Sequence, residues 1–248
     1  MRKFLALAAI AALGLGASAQ AVIFTGSIYN GNGNSGFGGA IGGGSLSLTD
    51  DGVTLSGTFT KGSGGFDNSL VIYVDSAAGG FADTSTLGDA HDGLRRSISG
   101  FDGGSNRSTL TFGGTFRPDY AIALGPNNSQ FGGAWQLVAG GDNSLNYVDS
   151  VNLTPTGTGT SSTYDFSIAL SKLGIAPGQT VQLLGTYISD SGYRSDEAIA
   201  GNTSGSQGWT AFTGTSATYT ATPEPASLGL LGLGAVGLLR RRKMARRK

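Results

Sequence analysis

The stretch Val53-Thr54-Leu55-Ser56-Gly57-Thr58-Phe59-Thr60 decides the fold class. In an extended chain Val53, Leu55, Gly57 and Phe59 face one way, while Thr54, Ser56, Thr58 and Thr60 face the other. That period of two is what a strand with one buried face requires. Asp50-Asp51-Gly52, immediately before it, supplies a hairpin turn in which glycine takes the positive φ. Similar short runs recur outward from this strand at 45–48, 70–74, 108–112, 120–124, 135–138, 147–153, 164–170, 181–189 and 217–220, between clusters of Gly, Asn, Asp and Ser. Many short strands at such spacing predict an all-β protein, an antiparallel β-sandwich of jelly-roll type with Gly-rich loops. Helical period is confined to 92–99, with a further turn at 171–173. Residues 26–44 hold nine glycines in nineteen positions and are expected to form a flexible loop or a loosely held first hairpin. Residues 154–163, rich in Thr, Gly and Ser, are expected to form a second exposed loop.

The 248 residues carry 16 basic and 16 acidic side chains, but the zero net charge averages unlike segments. Arg2 and Lys3 open the chain, and seven bases occupy 240–248. Between residues 22 and 222 there are seven bases against fifteen acids, 7 − 15 = −8. The mature body is thus acidic, below the whole-chain pI of about 6.6. An acidic body argues against nucleic acid as a partner, because phosphate neutralisation needs a basic face. With no Cys, disulfides, thiolate metal sites and cysteine nucleophiles are excluded, and one His leaves little for imidazole clusters.

The two ends read as addresses. Met1-Arg2-Lys3, the apolar run 4–15 and the small-residue pattern around Ala19 and Ala21 form a secretory signal peptide, cut after Ala19 or Ala21. At the other end stand Pro223-Glu224-Pro225, an apolar stretch 226–239 and the basic run from Arg240, Arg241 and Arg242. Fourteen helical residues reach about 21 Å, short of a hydrocarbon core of about 30 Å, so this is expected to be a short, transient transmembrane helix with its basic tail in the cytoplasm. The expected organisation is signal peptide 1–21, secreted β-sandwich 22–222 and sorting signal 223–248.

That C-terminal order of triplet, Gly/Leu-rich helix and Arg cluster resembles the PEP-CTERM sorting signal of Gram-negative bacteria. The resemblance implies export by the secretion translocase and signal peptidase, and then cutting near the triplet by an exosortase. The destination it implies is the cell surface or extracellular matrix. In the body, the order of the apolar strand ending in Asp75, Gly79-Gly80, the strand after Asp119, Trp135, 164–170 and Lys172-Leu173-Gly174 is similar to the β-sandwich of DOMON domains and family-9 carbohydrate-binding modules. The aromatic pair that clamps sugar in such modules does not map onto particular residues here.

Candidate chemistry in the body is sparse. Gly31-Asn32-Gly33-Asn34-Ser35-Gly36 matches the dinucleotide pattern G-x-G-x-x-G, but the glycines that follow cannot make the helix that would receive a pyrophosphate. His91 lies in a polar turn, and no G-x-S-x-G elbow accompanies it, so a Ser-His-Asp relay is not expected. Glycoside hydrolysis needs two carboxylates across a cleft. Glu197 is the one Glu of the body, and its Asp residues sit beside turn formers. Catalytic residues are therefore assigned to none. Asp75, Asp83, Asp89 and Asp92 share one long connection and are candidate ligands for structural calcium, with ordinary turn chemistry as the alternative. Trp135 heads an apolar strand and reads as core, whereas Trp209 lies in a polar loop and is the candidate for stacking on a sugar. The sequence thus predicts a non-enzymatic exported surface or matrix protein. A carbohydrate-binding module contacting extracellular polysaccharide is the alternative. An ice-binding protein, suggested by the Thr-rich pieces 154–163 and 213–222, and a secreted hydrolase are remote ones.

Overall fold

In the computed structural model, which describes residues 26–125 and 131–223, the alternating stretch forms a strand from Thr54 to Thr60 with Leu55, Gly57 and Phe59 buried. Its turn forms as expected. The Asp50 carboxylate accepts the Gly52 N–H, Asp51 accepts from Val53 and Thr54, and Gly52 takes φ +84°. Those backbone donors pull the Asp51 pKa below the ordinary carboxylate value.

The strands in chain order are β1 Ser27–Asn30, β2 Ser45–Asp50, β3 Thr54–Thr60, β4 Ser69–Asp75, β5 Thr109–Phe112, β6 Tyr120–Gly125, β7 Phe131–Leu137, β8 Leu145–Thr154, β9 Thr163–Ala169, β10 Thr180–Ile188, β11 Arg194–Ile199, β12 Gly201–Ser204 and β13 Ala211–Thr220. One α-helix, α1, spans Gly93–Ser99, and a 3-10 turn spans Leu170–Leu173, matching the two helical expectations. Asp92 caps α1 by accepting the Arg95 N–H, and Gly100 closes it at φ +68°.

Hydrogen bonds run through the strands in the order β1-β2-β3-β9-β8-β7-β6-β4-β10-β13-β12, antiparallel along this path. β8 turns the corner, pairing β7 through its first part and β9 through Asn152–Thr154. β10 divides its other edge. Thr180–Leu183 pair with β13, and Gly185, Thr186 and Ile188 pair with β11. A bridge from Gly31 to Ile199 brings the end of β1 onto β11, so the sheet nearly closes on itself. Closure of this kind removes most of the exposed strand edge through which β proteins aggregate.

The main core lies inside the folded sheet. Leu46, Leu48, Leu55, Phe59, Phe166 and Ile168 from β2, β3 and β9 share a cluster with Leu70, Ile72, Val74, Ile122, Leu124 and Leu183 from β4, β6 and β10. A second core covers the opposite face of β4, β6 and β10. Val71, Tyr73, Ala121, Ala123, Leu184 and Ile188 pack with Leu94 and Ile98 of α1, with Leu110, Phe112 and Phe116, and with Trp135 and Phe212. β4 is therefore buried from Ser69 through Val74, as a strand covered on both faces must be. Residues 26–44 depart from the expectation of a loose segment: Ser27–Asn30 pair with β2, Ala40 and Ile41 are fully buried, and the chain from Gly31 to Gly42 is bonded to β11.

Among the described residues no helix is long and apolar enough to cross a membrane. The expected signal helix and the C-terminal transmembrane helix lie outside those residues.

Candidate functional site

Glu197 organises the pinned loop. It lies in β11 with no exposure, and its carboxylate accepts four backbone N–H bonds: Phe37 at 2.7 Å and Gly39 at 3.2 Å on Oε1, Ile41 at 2.8 Å and Gly42 at 3.0 Å on Oε2. Converging peptide dipoles stand in for a counter-cation, as in an anion-binding nest whose anion belongs to the chain itself. The glycines make room. A Cβ on Gly42 would lie 2.0 Å from the Asn34 carbonyl oxygen, and one on Gly31 would lie 2.2 Å from that of Ile41. Asn32 and Asn34 donate side-chain N–H to the Asp196 carbonyl at 2.9 and 3.0 Å. The G-x-G-x-x-G stretch thus builds a seat for a glutamate rather than a phosphate cradle, and turns follow it instead of a helix.

The same loop carries an aromatic side chain to the surface. Phe37 stacks on Tyr193 with centroids 6.0 Å apart and planes 15° apart, and meets Tyr187 edge-on at 5.4 Å. Trp209 meets Tyr193 at 5.7 Å and 89°. Phe37, Tyr193 and Trp209 are each half-buried. Asp196 accepts the Gly36 N–H at 3.0 Å, and a Cβ on Gly36 would lie 2.6 Å from both Asp196 Oδ1 and Gln207 Oε1. The sequence singled out Trp209, and the structure places it edge-on to Tyr193, which in turn stacks on Phe37, next to the Gly36 that Asp196 and Gln207 flank. Trp135, by contrast, is 1% exposed, edge-on to Tyr147 and under the Arg95 guanidinium, as a core residue.

The four aspartates proposed for calcium do not converge on one site, although Asp89 and Asp92 meet at Arg95. Asp75 accepts the Arg117 N–H, and burial, with Asp119 nearby, raises its pKa. Asp83 accepts the N–H and hydroxyl of Ser85. Asp89, buried, bonds His91 Nδ1 at 2.7 Å and faces Arg95 Nε at 3.3 Å. Asp92 caps α1 and pairs with Arg95. Each carboxylate already accepts from or pairs with a donor of the chain, and among the described residues no group of three His, Cys, Asp or Glu could hold a metal ion.

Two shallow depressions mark the surface. One, about 240 Å³, is lined by Gly88, Ala90, His91, Phe101, Gly103 and Asp142, and no serine lines it. The other, about 320 Å³, lies on the outer face of β3, β8 and β9 among Ser56, Thr58, Asn152, Thr154, Asp165 and Ser167. Strand register lines up polar side chains across this face as Ser47, Thr58, Asp165 and Thr154 in one row and Thr49, Ser56, Ser167 and Asn152 in the next.

The end of the body is held by a second buried carboxylate. Asp50 is 4% exposed and accepts the Tyr219 hydroxyl and the Thr222 N–H, the latter at 3.0 Å on both oxygens. Burial and the neighbouring Asp50 push the Tyr219 pKa well above the ordinary tyrosine value. Thr222 Oγ1 donates to the Asp50 carbonyl at 3.2 Å, and Ala221 N–H to the Gln179 carbonyl at 2.9 Å. Pro223 follows directly.

Residues 221–243 match the family model of the PEP-CTERM protein-sorting motif. The motif marks the chain as an exported protein recognised and processed by an exosortase. The match takes in Pro223, Glu224, Pro225, Arg240, Arg241 and Arg242. Of these only Pro223 falls among the described residues, as neither Ala19 nor Ala21 does. No curated protein and no solved structure matches the chain. The likeness of the body to DOMON and family-9 modules has no match behind it.

Sequence reasoning missed the buried roles of Glu197 and of Asp50 beyond its turn, and it missed Phe37, Tyr193, Asp196 and Gln207. A usable signal existed for Glu197 alone: a lone glutamate followed directly by Ala198-Ile199-Ala200 sits where a buried strand would run.

Proposed function

We propose that the chain is a non-enzymatic exported protein, delivered by an exosortase-type system to the cell surface or extracellular matrix of a Gram-negative bacterium. The observation that carries this reading is the junction: a nearly closed β body runs straight into a PEP-CTERM motif that begins at residue 221. In this reading the body spans 22–222. The secretion translocase and signal peptidase remove 1–21, cutting after Ala19 or Ala21, and the exosortase acts on the segment from 223 onward. Glu224→Ala combined with deletion of 240–248 is expected to leave the protein membrane-retained or mislocalised in an exosortase-bearing host, read by fractionation and immunoblotting. Release equal to that of the unaltered chain overturns the reading.

The corner of Phe37, Tyr193 and Trp209 favours one second reading, contact with extracellular polysaccharide. Rings present apolar faces to sugar C–H groups, and Asp196 and Gln207 offer acceptors for sugar hydroxyls. On a panel of soluble polysaccharides, one glycan is expected to bind, and Trp209→Ala to weaken it at least about tenfold, or ~1.4 kcal/mol. An unchanged affinity in the variant, or no binding across the panel, removes this reading and leaves the first intact.

A further inference from the structure

We infer that the folded body keeps hold of the front of its own sorting signal, so that exosortase processing occurs on the C-terminal side of Pro223 and the mature chain retains Ala221, Thr222 and Pro223. The inference deepens the proposed function and rests on its exosortase reading. It starts from the junction. The family match reaches back to residue 221, and the ordered hydrogen bonding of the body continues through Thr222, directly before the Pro223-Glu224-Pro225 triplet.

The junction residues are not a spacer. Ala221 is 1% exposed and its N–H pairs with the Gln179 carbonyl. The Thr222 N–H is shared by both oxygens of Asp50, its hydroxyl bonds the Asp50 carbonyl, and its own carbonyl accepts the Gly178 N–H at 3.3 Å. Asp50 also holds the Tyr219 hydroxyl, which joins the β2–β3 turn to the last strand. A Cβ on Gly178 would sit 3.7 Å from Pro223, so the proline lies against the 174–180 turn.

A peptidase binds its substrate as extended chain with the backbone groups on either side of the cut unpaired. The Tyr219 hydroxyl, the Ala221 N–H and both the N–H and the carbonyl of Thr222 are already paired within the body, and charge-assisted bonds to a buried carboxylate are the strong kind. Opening them would leave the Asp50 charge buried without its donors, the costly outcome for such a group. Bonds up to Thr222–Pro223 are therefore shielded. When a peptide bond beyond Pro223 is hydrolysed, water supplies the new carboxylate on the body and the new amine on the departing tail. Where an amine acceptor replaces water, the body ends in an amide to it at the same position.

Two measurements test this. The first is the intact mass and C-terminal peptide of the body released by an exosortase-bearing host. A mature end at or beyond Pro223 is expected, and an end at Thr222 or earlier overturns the inference. The second uses the purified full chain in detergent and a broad-specificity protease, with no exosortase present. The resistant fragment is expected to end at Pro223 or later. In Asp50→Ala, trimming into 217–222 should be at least tenfold faster, with a smaller acceleration in Tyr219→Phe, which keeps the ring and gives a folded comparison if the first variant is unstable. Fragment ends and trimming rates identical in all three proteins overturn the clamp. A chain that the host never processes counts against the exosortase reading, while the protease experiment still decides the clamp.

Discussion

Glu197→Ala is expected to cost the body about 3–5 kcal/mol, a large share of the 5–15 kcal/mol by which a domain is ordinarily stable. Four N–H groups, on Phe37, Gly39, Ile41 and Gly42, end on this one carboxylate, and three of these four bonds lie wholly within buried surroundings. A buried donor left without a partner costs about 1–3 kcal/mol, and water entering a loosened loop recovers part of it. Glu197→Gln separates charge from shape. The amide keeps one acceptor oxygen but turns an N–H₂ toward backbone donors, so it is expected to lie between wild type and alanine. Urea unfolding measures the loss, and hydrogen exchange at 37–42 locates it. Protection there should vanish in the alanine variant before the rest of the sheet opens. Equal stability of all three proteins would show that the loop is held by Asn32, Asn34 and strand pairing instead.

This residue also marks the limit of what the sequence made legible. Strands such as β3 and β9 were readable because one face is wet and the other buried, so polarity alternates along them. The turn at Asp50–Gly52 and the helix capped by Asp92 were readable because their chemistry is local. β11 was not. Arg194-Ser195-Asp196-Glu197 looks like a solvated loop, yet Arg194, Ser195 and Glu197 are fully buried, and the Glu197 carboxylate is met by backbone donors far along the chain. Local pattern cannot report a bond partner 160 residues away. The Gly-rich loop failed for the complementary reason: its glycines signal freedom in isolation, but here Gly31 and Gly42 permit close backbone approach. The aspartates were misleading as a group because proximity in sequence says nothing of where each carboxylate spends its lone pairs. Trp209 was legible as a surface residue, while its neighbours Phe37 and Tyr193 come from segments that meet only in the fold.

The two tryptophans should separate cleanly in stability. Trp135→Ala is expected to cost about 3–5 kcal/mol, the usual price of removing a large buried aromatic. Trp209→Ala should cost less than about 1 kcal/mol, because that ring is half in solvent and touches one aromatic edge. Trp135 is 1% exposed on the face of β7 that meets α1. The Arg95 guanidinium lies 5.6 Å from its ring, and a Cβ on Gly133 would sit 2.5 Å from the indole, so the ring fills space that no neighbour can reclaim. Its Nε1–H has no hydrogen-bond partner, which lowers what the residue contributes below what its size implies. Trp135→Phe therefore loses packing but also sheds an unsatisfied donor, and is expected to stay within about 2 kcal/mol of wild type. Because the chain has two Trp, each variant leaves one reporter. The spectrum left in Trp209→Ala should be blue-shifted and unquenched by iodide, and that left in Trp135→Phe accessible. Matching urea midpoints for Trp135→Ala and Trp209→Ala would mean that the second core contributes little. The layer of α1 and β5 would then be a covering that the closed sheet tolerates rather than one it needs.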